Sequence, residues 1–431
     1  MKYVHILSNR AGKGTAWLWL LFLMLTCHVE GMAQRHEIYK DHIRSLKVIA
    51  NNDWMSLPIC ELGKCSFSIS FDDLTPEYHR YMYKVEHCEA DWSVSTELFP
   101  TDYIAGFDTG NVIDDIQESL LTTTLYTHYQ FRIPNENCRL TMSGNYKVTV
   151  YDDNNNEEPV LTVCLMVVEP LMGLGMVAST NTDIDINNTH QQLSMELNYG
   201  NLLVVNPQQQ LKTVVMQNKR WDNARWNVQP QYVLSDRLRW EHCRDLIFEG
   251  GNEYHKFEIL STNVASMGIE SLSWDGKRFH AYPYVPEPRR NYLYDEDANG
   301  AYVFRNSDNY ESTFTSDYID VHFHLLADEK LNGEVYVNGD WTFDRFLPQY
   351  RMQYDEVSKS YEAVLPLKLG YYSYQFLLVG ADGRVGFVPS EGNFYQTENE
   401  YQALVYYREQ GGRTDRLVAY QHISTRPRSR K

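Results

Sequence analysis

Apolar and polar residues alternate with a period of two along most of this chain, and that pattern confines it to β-structure. Residues 65–71 read Cys-Ser-Phe-Ser-Ile-Ser-Phe. Tyr146, Val148 and Val150 alternate with Lys147 and Thr149, and residues 319–325 alternate again as Ile-Asp-Val-His-Phe-His-Leu. No run with a clean 3.6-residue amphipathic period exceeds three helical turns. The 32 Tyr, 9 Trp and 17 Phe point the same way, because aromatic side chains suit pleated, half-buried surfaces. Strands are expected at 46–49, 65–71, 78–88, 123–133, 145–151 and 160–168. The turn formers Asp72-Asp73, Pro134-Asn135, Ser143-Gly144 and the Asp/Asn run 152–156 stand between them. A short helical stretch is expected at 115–121. The fold class read from this pattern is all-β, with tandem β-sandwich units of immunoglobulin or fibronectin type.

A chain of 431 residues needs two to four domains. The first sandwich is assigned to 34–170, closing at Pro170. A middle β-rich unit is assigned to 171–300, with strands at 192–197, 211–217 and 254–259 and with Trp221, Trp226 and Trp240 between them. A third, sandwich-like unit occupies 301–425, with strands at 319–325, 334–338, 371–379, 401–407 and 417–422. A basic tail, 426–431, follows.

Residues 1–33 have the form of an export signal peptide. Lys2, Arg10 and Lys13 precede an apolar run over 17–26 (WLWLLFLMLT), and Gly31-Met32-Ala33 offers a small-residue cleavage site. The apolar run is too short to span a bilayer as a helix, which takes about 20 residues. Cys27 follows Thr26 rather than the Gly or Ala usual before a lipidated Cys, so a soluble, non-lipidated product starting at Gln34 is expected. Loss of Lys2, Arg10, Lys13 and Glu30 takes the net charge from −18 to −20. A chain this acidic repels phosphate backbones, which argues against nucleic-acid binding.

Six cysteines remain after cleavage: Cys60, Cys65, Cys88, Cys138, Cys164 and Cys243. In an exported chain they permit up to three disulfides. Cys60 and Cys65 flank a turn. Parity speaks against the bond, because Cys65 shares a face with Phe67, Ile69 and Phe71, whereas Cys60 is opposite in parity to the core candidates Leu57 and Ile59. Only a bulge would bring the two together. Cys164, within the apolar run 160–168, reads as a small buried hydrophobe.

Candidate chemistry is sparse. His87-Cys88-Glu89-Ala90-Asp91-Trp92 holds metal-ligand residue types, but neighbours on a strand face opposite ways and no second cluster completes four ligands. Asp295-Glu296-Asp297-Ala298-Asn299-Gly300 matches the first half of a calcium loop, yet Asn306 stands where the closing Glu belongs. Gly250-Gly251-Asn252 suits a strained loop and lacks the Lys of a phosphate loop. There is no G-x-S-x-G elbow and no distinguished pair of acids, so no enzyme activity, catalytic residue, metal or cofactor is expected. Trp341, Phe343, Phe346, Tyr350 and Tyr354 form an aromatic group that would serve glycan binding if exposed and would be core if buried.

One series of motifs carries a family resemblance. His87-Cys88-Glu89-Ala90-Asp91-Trp92, Tyr103 with Gly106-Phe107, Tyr126-Thr127-His128-Tyr129, Ile133-Pro134-Asn135-Glu136 and Ser143-Gly144-Asn145-Tyr146 occur in the order found in the plug protein family of the type IX secretion system, formerly catalogued as a domain of unknown function. Phe248-Glu249-Gly250-Gly251-Asn252-Glu253 and Asp297-Ala298-Asn299-Gly300 resemble its later motifs. The sequence is looser at 119–124, where Leu120-Leu121 replace smaller polar residues. The resemblance implies a periplasmic protein, peripheral to the outer membrane, that closes the periplasmic opening of a β-barrel translocon when no cargo passes. It implies a protein partner, no nucleic acid and no small-molecule substrate, and it assigns no partner-binding residues. A periplasmic or surface glycan-binding β-sandwich is the alternative. A secreted β-rich hydrolase would need two facing carboxylates.

Overall fold

The computed structural model describes residues 35–75, 77–154, 158–307 and 311–425. The expected leader, the Cys27 question and the basic tail 426–431 lie outside them. Strands make up 47% of the described residues and helix 6%, so the all-β expectation holds.

The first sandwich packs two sheets face to face. One sheet runs in the order Glu37–Ile38, Glu158–Val168, Gly144–Asp152, Tyr81–Cys88, Asn111–Val112, and Ile59–Glu61 pairs in parallel with Glu158–Val168. The other runs Ile43–Ala50, Phe67–Asp73, Thr127–Ile133, Asp115–Glu118. Alternation decides the core. Phe67, Ile69 and Phe71 meet Tyr81, Tyr83, Val85, Tyr146, Val148 and Val150 between the sheets. The expected helix at 115–121 is absent. Asp115–Glu118 is instead an edge strand on Thr127–Ile133, because cross-strand pairing outweighs a weak local helical preference. Asp72 and Asp73, read as turn formers, are the fully buried end of Phe67–Asp73.

The disulfide expectation is also corrected, since Cys60 and Cys65 are bonded. The parity was read correctly but the core face was not. Leu57 and Ile59 point into a second apolar cluster with Cys88, Trp92, Cys164 and Met166, whereas Cys60 points into the sandwich core with Phe67 and Ile69, the face that Cys65 also packs against. No bulge is needed. Both faces of this strand are buried, so the apolar partners of Cys60 could not be told from the opposite set. A five-residue separation closes a short loop, so replacing both cysteines by serine lowers the unfolding free energy by about 2 kcal/mol. Urea denaturation with and without reductant measures it.

The second sandwich comes from two distant segments. Gly173–Ser179, His190–Asn198, Arg237–Trp240 and Tyr232–Val233 form one sheet. Arg225–Trp226, Leu211–Gln217, Glu400–Tyr407 and Arg416–Ser424 form the other. The third sandwich lies between those segments. His255–Ile259, Gly370–Val379 and Tyr302–Phe304 face a sheet of Ile269–Trp274, Phe279–Pro283, Tyr318–Leu326, Ser360–Lys368 and Gln353–Asp355. Three pairings therefore cross the boundary expected near Gly300, namely Leu211–Gln217 with Glu400–Tyr407, His255–Ile259 with Gly370–Val379 and Phe279–Pro283 with Tyr318–Leu326.

The first two sandwiches also stack on each other. Strand Glu158–Val168 turns Leu161, Val163 and Leu165 into the first core, while Cys164, Met166 and Val168 face the next sheet. There they meet Val214, Met216, Leu404, Tyr406 and Leu417, whose strands send Val215, Tyr401 and Val405 into the second core. Burial on both faces explains why residues 160–168 are nearly all apolar, Thr162 excepted.

Candidate functional site: the seams between the sandwiches

Several of the polar motif residues, Glu89, Asn145 and Asn252 among them, lie where sandwiches meet. At the seam of the first with the second, both carboxylate oxygens of Glu89 are engaged. Oε2 accepts from Arg408 Nη2 (2.6 Å) and from the backbone N–H of Asp415 (2.8 Å), and Oε1 accepts from Thr414 Oγ1 (3.0 Å). Asp415 answers from the other side, accepting from Ala90 N (3.1 Å), Lys212 Nζ (2.7 Å) and Arg408 Nε (2.9 Å). Burial pushes the Asp415 carboxyl up, but the hydrogen bonds from Lys212 and Ala90 outweigh it and hold it below the usual carboxylate range. Asn145 donates to the Glu89 carbonyl (2.9 Å) and accepts from Tyr406 Oη (2.9 Å). Trp92 is buried edge-on against Trp221, ring centroids 6.1 Å apart.

His87 and Cys88 do face opposite ways. His87 hydrogen-bonds Ser95 Oγ (2.9 Å) and stands edge-on to Tyr146 in the first sandwich, whereas Cys88 lies in the inter-sandwich cluster. Among the described residues no group of three or more His, Cys, Asp or Glu side chains is placed to hold a metal ion.

The seam of the first with the third is built on a fully buried ion pair. Asp72 Oδ2 accepts from Lys368 Nζ (2.6 Å) and Tyr318 Oη (2.7 Å), and Oδ1 faces His128 Nδ1 at 2.6 Å. Both side chains of the pair are 0% exposed. Lys368 also donates to the Thr313 carbonyl and sits 4.2 Å from the centre of the Tyr126 ring. Nearby, Asp317 accepts from Thr123 N and Oγ1 (both 2.7 Å) and Thr124 N (3.0 Å). Lys47 donates to the Tyr302 carbonyl (2.5 Å), and Tyr302 Oη donates back to the Leu46 carbonyl (2.5 Å).

All three sandwiches converge on Lys219. It belongs to the second, and its ammonium donates to the Met55 carbonyl of the first (2.7 Å) and to Asp340 of the third (2.8 Å). A cavity of about 80 Å³ lies beside it, lined by Arg35, His36, Lys47, Trp54 and Asp340 among others.

The seam of the second with the third is the glycine loop. Gly250 and Gly251 lie on the crossing from Ile247–Glu249 to His255–Ile259, against the returning chain near 387–399. Gly251 donates to Asn393 Oδ1 and accepts from Thr397 Oγ1 (both 2.8 Å), and Asn252 Nδ2 donates to the Glu391 carbonyl (2.7 Å). A Cβ on Gly250 would stand 2.1 Å from the Phe394 carbonyl oxygen. Gly251, at φ 64°, would meet the Phe387 ring at 2.5 Å. The glycines thus permit close approach of two chains. The half calcium loop works similarly. Asp297 accepts from the backbone N–H groups of Tyr254 (2.5 Å) and Asn299 (2.6 Å), and burial pushes its carboxyl up to about 7.

None of the five third-unit aromatics forms an exposed row. Trp341 is buried, the other four are half-buried, and Trp341, Tyr350 and Tyr354 belong to the third core. Asp72, Lys368, Lys219, Asp317 and Asp415 escaped sequence reasoning, because a charge destined for burial looks like any other charge until its partner, hundreds of residues away, is known.

The seams are thus held by structural interlocks within a body of nested β-sandwiches. The family model described as type 9 secretion system plug protein 1st domain matches residues 43–169. A crystal structure of a hypothetical protein from Parabacteroides merdae is 36% identical, over 91% of this chain and 99% of that one, with a TM-score of 0.87. Residues 43–169 of the chain are thus a first domain of the type IX secretion system plug protein family. Its family is known as a secretion plug and not as a family of enzymes, and this ties the chain to the secretion machinery of the cell envelope. Trypsin-activated alpha-2-macroglobulin from Escherichia coli, at 9% identity and a TM-score of 0.14, covers 91% of this chain and 28% of its own and does not share its fold as a whole. No curated protein matches.

Proposed function

We propose that the chain closes the periplasmic opening of the type IX outer-membrane translocon when no cargo is in transit. The observation that supports this most is the interlock at Lys219, where one ammonium bonds all three sandwiches. A body that blocks a wide pore must not come apart along its seams. Ordinary interdomain contacts leave domains free to move, but here a fully buried ion pair and a shared apolar layer join them. Occlusion is steric and needs no catalytic group, so the protein acts without enzymatic chemistry. The leader over 1–33 delivers it to the periplasm, and the translocon barrel holds it at the outer membrane. The first unit ends near Pro170. The remainder is best divided as a second sandwich, 171–249 with 400–425, that carries the third as an insertion.

Affinity purification of the tagged protein from native envelopes in mild detergent tests the partner. The translocon barrel is expected to copurify in the absence of cargo. Recovery of the protein without any outer-membrane barrel would overturn the assignment.

A further inference from the structure

The outer face of the third sandwich carries two imidazoles that neither the seams nor occlusion uses. His280 stands on Phe279–Pro283 and His322 on Tyr318–Leu326. These strands are parallel neighbours, with His280 opposite Asp320 and Ala281 opposite Val321. Nδ1 of His280 lies 2.9 Å from Nε2 of His322. On its far side, His280 Nε2 is 3.2 Å from Asp275 Oδ2. A carboxylate there draws the imidazole proton to Nε2 and leaves the Nδ1 lone pair aimed at His322. Metal-binding histidines are oriented by outer carboxylates in the same way. Tyr282 stacks on His322, centroids 4.5 Å apart and planes at 22°, and fixes the second ring. Both histidines are half-buried.

We propose that His280 Nδ1 and His322 Nε2 chelate one divalent transition cation of the Zn²⁺, Ni²⁺ and Cu²⁺ class. Metal–nitrogen bonds of about 2.0–2.1 Å at a tetrahedral angle set the two nitrogens about 3.3–3.4 Å apart. The rings therefore need to part by a few tenths of an ångström and to tilt so that both lone pairs converge on the cation. Imidazole donors select this class over Mg²⁺ and Ca²⁺. His324 lies on the same strand face but is directed to Glu362 (3.6 Å), and Arg278 is taken up by Asp320 (3.2 Å). Two protein ligands leave the other positions to water, so the site is open and exchangeable. Bound there, the cation clips the hairpin Ile269–Trp274/Phe279–Pro283 to Tyr318–Leu326, which it otherwise pairs through two residue positions.

Isothermal titration of the full mature chain with Zn²⁺ alone, in a non-chelating buffer at neutral pH, tests the site. One cation per chain is expected, with micromolar affinity. His280→Ala and His322→Ala each abolish binding, Asp275→Asn weakens it by about tenfold, and His324→Ala leaves it unchanged. Circular dichroism checks the fold of each variant, and His322→Gln serves if His322→Ala is unstable. Absence of binding to the native chain overturns the proposal. So does equal binding by the His280/His322 double variant, which would assign the cation to other histidines. Neither result bears on occlusion of the translocon.

Discussion

Lys368→Met lowers the unfolding free energy by about 3–5 kcal/mol, because it strands Asp72 as a buried charge. The carboxylate keeps Tyr318 Oη and His128 Nδ1 but loses the cation that balances it. Burial holds the Lys368 ammonium below its ordinary value against the pull of Asp72, so each ion depends on the other. Asp72→Asn is expected to cost a similar amount. The double variant should cost clearly less than the two singles together, because removing both charges leaves neither unpaired. Urea titrations of the four proteins give the coupling energy directly. Additive losses would mean that the pair does not hold the first sandwich to the third.

Lys47 is expected to behave in the opposite sense. Its ammonium has the Tyr302 carbonyl at 2.5 Å and lies 3.6 Å from the centre of the Tyr302 ring. Burial holds it down to about 7 from 10.5, with Asp340 opposing and Lys219 adding to the shift. Below pH 7 both folded and unfolded chains carry the proton, and the cost of burying the charge is felt in full. Between 7 and 10.5 the unfolded chain keeps a proton that the folded chain has released, so stability rises with pH. Lys47→Met removes this dependence. Relative to the native chain its stability is greatest at and below pH 7, and the difference shrinks towards pH 10.5 by up to about 4–5 kcal/mol. The lost bond to the Tyr302 carbonyl takes back about 1 kcal/mol at every pH. Urea unfolding of both proteins across this range measures it. A difference independent of pH would show that Lys47 is not held as a suppressed cation.

Strand positions were legible because burial on one face writes itself as alternation. Leu211–Gln217 and Glu334–Asn338 fall where the pattern put them. Strands buried on both faces carried less information. Around Cys60 the alternation persisted but did not say which side faced which core, and the disulfide was misjudged for that reason. Chain order was a poor guide to which strands share a sheet, since Leu211 pairs with Tyr407 across an inserted sandwich. The motifs pointed to the family, but not to their own physical role. Glu89 and Gly251 make sense only beside Asp415 and Phe387, 326 and 136 positions away.

The proposed function is occlusion by one interlocked body. Uptake of a bulky dye or antibiotic, normally excluded by the outer membrane, measures it most directly when compared between the native strain and a strain lacking this protein. Without cargo to fill the channel, the deletion strain is expected to admit the probe, and the native gene restores exclusion while secretion itself need not stop. Unchanged uptake in the deletion strain, with the translocon present and free of cargo, would contradict the account.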